Sequence, residues 1–165
     1  MKDRYLCRGK RIDNGEWVEG FYFCMTHPDD RHTHHFIIPL GADLSLGTPI
    51  EKIQVEVDPS TICRCTGLED KNAELIWEND ILMCHGNSKD LVKAVFGKFA
   101  VINAETLESI DEVIGWHYEV IPTDALSKCE PFCLSMPLTE EYVKVCEFEV
   151  IGSVFDNQEL LEVQE

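Results

Sequence analysis

The stretch Cys65–Cys84, CTGLEDKNAELIWENDILMC, decides the fold. It opens on an apolar approach, Ile62-Cys63-Arg64-Cys65, and enters a turn built from Gly67, Asp70, Lys71 and Asn72. The chain leaves through Leu75, Ile76 and Trp77, meets Glu78-Asn79-Asp80, and resumes in Ile81-Leu82-Met83. Asx side chains bond backbone amides in turns, so Asp70 and Asn72 are expected to shape the reversal and Asp80 the bend into the next strand. The stretch is a hairpin followed by a strand. It contains no recognisable catalytic apparatus.

Outward from it, strands dominate. Upstream, Asn14-Gly15 lies between Tyr5–Ile12 and Trp17–Cys24, the signature of a tight hairpin turn. Residues 25–35, MTHPDDRHTHH, form a polar loop before Phe36–Leu40, and Ile53, Val55 and Val57 alternate on one face of a further strand. Downstream, Leu91–Phe96 and Phe99–Ile102 flank Gly97-Lys98, which is expected to reverse the chain. Leu107, Ile110, Val113 and Ile114 recur at helical spacing, and Trp116–Ile121 is a strand stopped by Pro122. An irregular insertion carries Cys129, Pro131, Cys133 and Pro137. The chain recovers as strands at Val143–Cys146 and Phe148–Phe155, before a helical turn or tail at Gln158–Val163. The expected fold class is mostly β with minor α. An N-terminal β lobe spans 1–66, and a small SH3-like barrel lobe, with its insertion near 103–142, spans 67–165.

Composition narrows the function classes. A chain of 165 residues, 44% hydrophobic, is long enough for a real core. Its formal charge of −17, from 31 acidic and 14 basic side chains, opposes a nucleic-acid phosphate backbone. Neither a membrane-spanning run nor a signal-peptide core is present, so a cytoplasmic location is expected, with the eight cysteines reduced. Cys7, Cys24, Cys63, Cys65, Cys84 and Cys146 are expected to pack as small apolar groups.

The weak metal candidates are His27, His32, His34 and His35, four imidazoles beside Asp29 and Asp30. A solvated histidine loop is the plainer expectation, since the spacing matches no ligand signature. Cys63-x-Cys65 with Cys129-x3-Cys133 has poor spacing for zinc, and Cys133 has no adjacent base in sequence. Trp17, Phe21, Phe23 and Trp77 are expected as core aromatics rather than a base-stacking platform. No cofactor is called for.

Three blocks carry a resemblance. They are Arg8–Gly20 around Asn14-Gly15, Thr66–Ala73 with Ile76–Ile81, and Glu149–Asn157 around Gly152. Together, over residues 8–161, they resemble the YopX-like proteins of phages and prophages. That family has Asn-Gly in the central turn and Glu-Gly-Asp before the strand; here Asn72-Ala73 and Glu78-Asn79-Asp80 stand in their place. The resemblance implies phage or prophage origin in a bacterial cytoplasm and homo-oligomerisation, and it implies no reaction. Asn14, Gly15, Gly67, Asp70, Asn72, Trp77, Asp80 and Gly152 are thus expected to be structural. The function expected is a non-enzymatic module that binds its own copies and a host or phage protein. The alternatives are a metal-dependent enzyme using His27–His35 and an acidic mimic of nucleic acid.

Overall fold

The computed structural model describes residues 3–26, 28–29, 31–103 and 105–161. The fold is mostly β, with one short α-helix and several 3-10 turns among the described residues, and the chain divides into two compact units, Met1–Cys65 and Thr66–Glu165.

In the first unit, β1 (Cys7–Lys10) pairs with β2 (Trp17–Thr26), β2 with β3 (Thr33–Pro39), and β3 with the short β4 (Val55–Glu56), all antiparallel. The first residues of β5 (Cys63–Glu69) lie on the other side of β1, where Cys7 faces Arg64. The Asn14-Gly15 hairpin is present, but with a four-residue loop. Arg11 N–H donates to Glu16 O (2.9 Å), and Gly15 alone carries positive φ, at 74°. Asn14 instead uses its side-chain oxygen to accept from Glu16 N–H at 3.0 Å. Ile37, Val57, Cys63 and Cys65 are fully buried and form the inner face of this unit. Gly20 is required by packing, since a Cβ there would lie 1.9 Å from the Ile38 carbonyl oxygen. Cys24 is exposed rather than packed, because it falls on the open face near the end of β2.

The second unit begins as β5 continues into a kink. Gly67 sits at φ 77°, and the Thr66 hydroxyl spans the kink by donating to Ile76 O (2.7 Å) and accepting from Leu68 N–H (3.0 Å). There follow β6 (Leu75–Trp77), β7 (Asp80–Met83), β8 (Leu91–Ile102), β9 (Ser109–Val120), β10 (Met136–Pro137), helix α1 (Glu140–Val145) and β11 (Glu149–Ser153). The last five strands form an antiparallel sheet of order β10-β9-β8-β7-β11. Among the described residues no pairing joins β10 to β11, so the expected SH3-like barrel is an open sheet. The core of this unit gathers Ile76, Leu82, Val92, Ala94, Leu138, Val143 and Phe148. Ile81, Leu91 and Ile121 form a second cluster.

Three local expectations are corrected. Gly97-Lys98 does not reverse the chain: β8 runs straight through it for 12 residues. The segment with helical spacing is largely strand, because Lys98 to Val101 pair with Ile114 to Asp111. The reversal lies at Asn103–Glu108, where Asn103 Oδ1 accepts from Glu105 N–H (2.8 Å) and Thr106 N–H (3.2 Å). Finally, Val143–Val145 belongs to α1 rather than a strand. Thr139 caps this helix, its hydroxyl oxygen accepting from Tyr142 N–H at 3.2 Å.

Candidate interaction site

The polar residues of the opening stretch are consumed by backbone. Asp70 is 6% exposed, and its two carboxylate oxygens accept three amides: Asn72 (2.7 Å) and Glu74 (2.9 Å) within the turn, and Val150 (2.9 Å) on β11. Lys71 reinforces the junction through Glu149 at 2.6 Å. Asp80 is 1% exposed and accepts from Trp77 N–H at 2.8 Å. Between them Asn79 sits at φ 67°, donating to Ala94 O (2.8 Å) and accepting from Val154 N–H (3.0 Å). Buried carboxylates that accept amides hold turns closed, and both oxygens of Asp70 are engaged in this way. Ala73, at the family's glycine position, adopts φ 64° all the same. Gly152 makes room for the turn after β11, since a Cβ there would lie 2.1 Å from Asn157 Oδ1, which accepts from Ser153 N–H at 3.2 Å. Trp77 is a core residue, 3% exposed.

Of the four candidate histidines, His34 and His35 lie on opposite faces of one strand. His27 lies outside the described residues. His32 precedes β3, whereas His34 and His35 are on it rather than in a loop. Being consecutive, they project from opposite faces. His34 Nδ1 meets Glu56 Oε1 at 2.7 Å, and His35 Nδ1 meets the Tyr22 hydroxyl at 2.7 Å. Among the described residues no three His, Cys, Asp or Glu side chains are grouped to hold a metal ion. Cys63 and Cys65 are buried, and Cys129 and Cys133 are exposed. Burial pushes the Cys84 thiol well above its ordinary pKa, with the nearby Asp90 carboxylate adding to the shift.

A different region carries the accessible chemistry. β8 and β9 continue together past the core as a two-stranded arm. Val92, Ala94 and Tyr118 on one face of its base pack into the core. Farther out, Gly97 lies opposite Gly115, and the rings of Phe99 and His117 stack over this pair with centroids 4.7 Å apart. Aromatic rings often cover glycines in sheets this way. His117 Nδ1 donates to Gly115 O at 3.3 Å, leaving Nε2 3.7 Å from Glu119 Oε1. Beside this stack a cleft of about 290 Å3 is lined by Lys98, His117, Glu119 and Cys133, so the fold supplies the Cys133 neighbourhood that sequence alone did not show.

Toward the tip the arm exposes apolar side chains. Ile110 is 65% and Ile114 74% exposed, with Leu107 nearby at 39%. Sequence reasoning missed these as surface groups, because their spacing matches the buried face of a helix. The alternating Lys98, Ala100 and Ile102 opposite Ile114, Glu112 and Ser109 was the signal for a ribbon. Acidic residues, Glu105, Glu108, Asp111 and Glu112, surround the tip, and Lys98 pairs with Glu112 at 2.5 Å.

No helix among the described residues is long and apolar enough to cross a membrane. No curated protein matches the chain. A family model described as YopX protein matches residues 8–162. That span takes in the Asn14-Gly15 hairpin, both carboxylate-held turns, the arm and the Gly152 turn, and the chain belongs to the YopX family.

Proposed function

We propose that this is a non-enzymatic accessory protein of a phage or prophage, working in the bacterial cytoplasm by binding protein chains, its own copies included. The observation that carries the reading is the arm tip. It presents Ile110 and Ile114, 65% and 74% exposed, on a two-stranded ribbon. Scattered exposed apolar residues are ordinary, but two β-branched side chains this exposed, on one strand of an element outside the core, favour a covered surface. The buried carboxylates support the non-enzymatic part, because three backbone amides converge on Asp70 and Asp80 accepts the Trp77 amide at a site 1% exposed.

The test is affinity capture from lysate of a lysogenic host, using the wild-type chain and the Ile110→Ser, Ile114→Ser double variant as bait. A defined partner, bound by the first and lost by the second, is the expected result. Equal capture by both baits would remove the arm tip from the site. Stoichiometric zinc or iron on the purified protein, lost on His32→Ala with His34→Ala, would instead favour the metal-dependent enzyme.

A further inference from the structure

The two faces of the arm differ in how they are covered, and the register shows which side chains each one holds. Directly opposed residues of an antiparallel pair project from the same side, as do alternate residues along each strand. Val95 opposite His117 and Phe99 opposite Val113 therefore share one face, where Phe99 and His117 are 8% and 2% exposed. Phe96 opposite Trp116, Lys98 opposite Ile114 and Ala100 opposite Glu112 share the other. This second face starts in the core, with Val92, Ala94, Tyr118 and Val120, and opens to solvent farther out. Phe96 stands edge-on to Trp116, ring centroids 5.2 Å apart, and is still 37% exposed; Ile114 beyond them is 74% exposed. Ile110 lies where the register shifts, between Asp111 opposite Val101 and Ser109 opposite Ile102, and a bulge re-aims the side chain it frees. An aromatic pair and two isoleucines thus lead from the core edge toward the tip.

Charge decides what can cover this face. Between Gly97 and Gly115, Lys98 is the one basic residue, against Glu105, Glu108, Asp111 and Glu112. Lys98 is itself held by Glu112 at 2.5 Å, so the tip keeps an excess of carboxylate. The bias extends to the unit that carries the arm. Thr66–Glu165 holds 21 acidic and 6 basic side chains, net −15, whereas Met1–Cys65 holds 10 and 8, net −2. Apolar area flanked by charge of one sign selects a partner of the other, because opposite charge steers the encounter and like charge opposes it. A second copy would set these carboxylates against themselves, and an anionic polymer or membrane would meet the same repulsion.

We infer that this face of the arm docks a cationic amphipathic segment of a different protein, its apolar side chains against Ile114 and the Phe96–Trp116 pair and its lysines or arginines toward the carboxylates of the tip. This rests on the reading that the arm tip binds protein chains, and it specifies the chemistry of the chain bound. Ile114 and Glu112 are two positions apart on one face, about 7 Å along the strand. One short segment therefore reaches both, with an apolar anchor and a neighbouring cation. The opposite face offers no such site, because its Phe99 and His117 are already covered.

The experiment is fluorescence anisotropy on the full chain with two labelled synthetic peptides of equal length, one of leucine and lysine, the other with glutamate in place of lysine, at low and physiological salt. The lysine peptide should bind roughly tenfold more tightly than the glutamate peptide, and more weakly as salt rises. Glu105→Gln with Glu108→Gln should raise its Kd roughly fivefold and flatten the salt dependence. Glu140→Gln with Glu141→Gln removes the same charge from α1, outside the arm, and should change the Kd less than about twofold. Ile114→Ser should raise the Kd roughly fivefold at either salt, since it removes apolar contact and no charge. Equal loss from the two glutamine pairs would reduce the binding to the net charge of the unit and overturn the proposal. Equal affinity for the two peptides, or an Ile114→Ser variant that binds as wild type, would do the same. Light scattering on these samples addresses the other occupant: if Ile114→Ser lowers the mass of an assembly and the lysine peptide does not compete with that assembly, the face belongs to a second copy and the proposal falls. A lysate partner that is lost from the Ile110→Ser, Ile114→Ser bait but contacts the arm through an acidic segment also overturns it, and leaves the broader reading standing. No lysate partner and no peptide binding would remove both.

Discussion

The carboxylate-held turns and the β8–β9 arm lie in the same unit, and they handle polar and apolar groups in opposite ways. At the turns, Asp70 and Asp80 are buried, and three amides converge on the first alone. On the arm, isoleucines face solvent and backbone amides of one edge have no partner among the described residues. Density of polar residues alone would draw attention to the turns. Physical accounting reverses this, because a polar group whose hydrogen bonds are all made internally has nothing to offer a partner. Unsatisfied backbone and uncovered apolar area do.

The comparison breaks most readily at Asp70. Asp70→Ala leaves three buried amides without their acceptor, and an unsatisfied buried donor costs about 1–3 kcal/mol. The expected loss is about 3–5 kcal/mol, read as a lowered denaturant midpoint. An effect below about 1 kcal/mol would mean that water replaces the carboxylate and that the turn is not held from within. Asp80→Ala, which removes the acceptor of the Trp77 amide at a nearly fully buried position, is expected to cost about 2–3 kcal/mol and to lower the melting temperature. An unchanged melting temperature would remove its structural role.

Ala73→Gly sharpens the contrast from the other side. A non-glycine residue in the left-handed region costs roughly 1–2 kcal/mol, while glycine's extra chain entropy returns about 0.5–1 kcal/mol. Because Ala73 sits at φ 64°, the variant should be more stable by about 0.5–1 kcal/mol in chemical unfolding. Destabilisation would show that the Ala73 methyl packs more strongly than its backbone is strained. The Ile110→Ser, Ile114→Ser bait belongs at the end of this scale. Its stability should lie within about 0.5 kcal/mol of wild type, since neither side chain is in a core.

The sequence was most legible where a short motif has one geometric solution. Gly15 needs positive φ, Asp70 and Asn72 lie in a turn, and Asp80 follows a strand; each is a local demand that these residue types meet. The arm was not legible because its register is set by residues far apart, Val92 with Val120 and Lys98 with Ile114. Glycine and lysine between apolar runs suggest a reversal, yet here Gly97 is matched by Gly115 and roofed by Phe99 and His117. In α1 the alternation Val143-Lys144-Val145 imitates a strand, and six residues are too few to display a helical period. The cue lay just ahead, in the capping Thr139 followed by Glu140 and Glu141.

The bond from Asp70 to Val150 bears on how the chain is made. A ribosome delivers Asp70 early, and its second oxygen then waits for an amide 80 residues downstream. At about 5–20 residues per second the wait is several seconds, during which β7 also lacks its neighbour β11. Strands β1 to β4 and the first residues of β5 all come from residues 7–65 and are free to pair in that interval. The second unit is completed only when Glu149–Ser153 emerges, so until then β7 is paired with β8 on one side and leaves its other edge open.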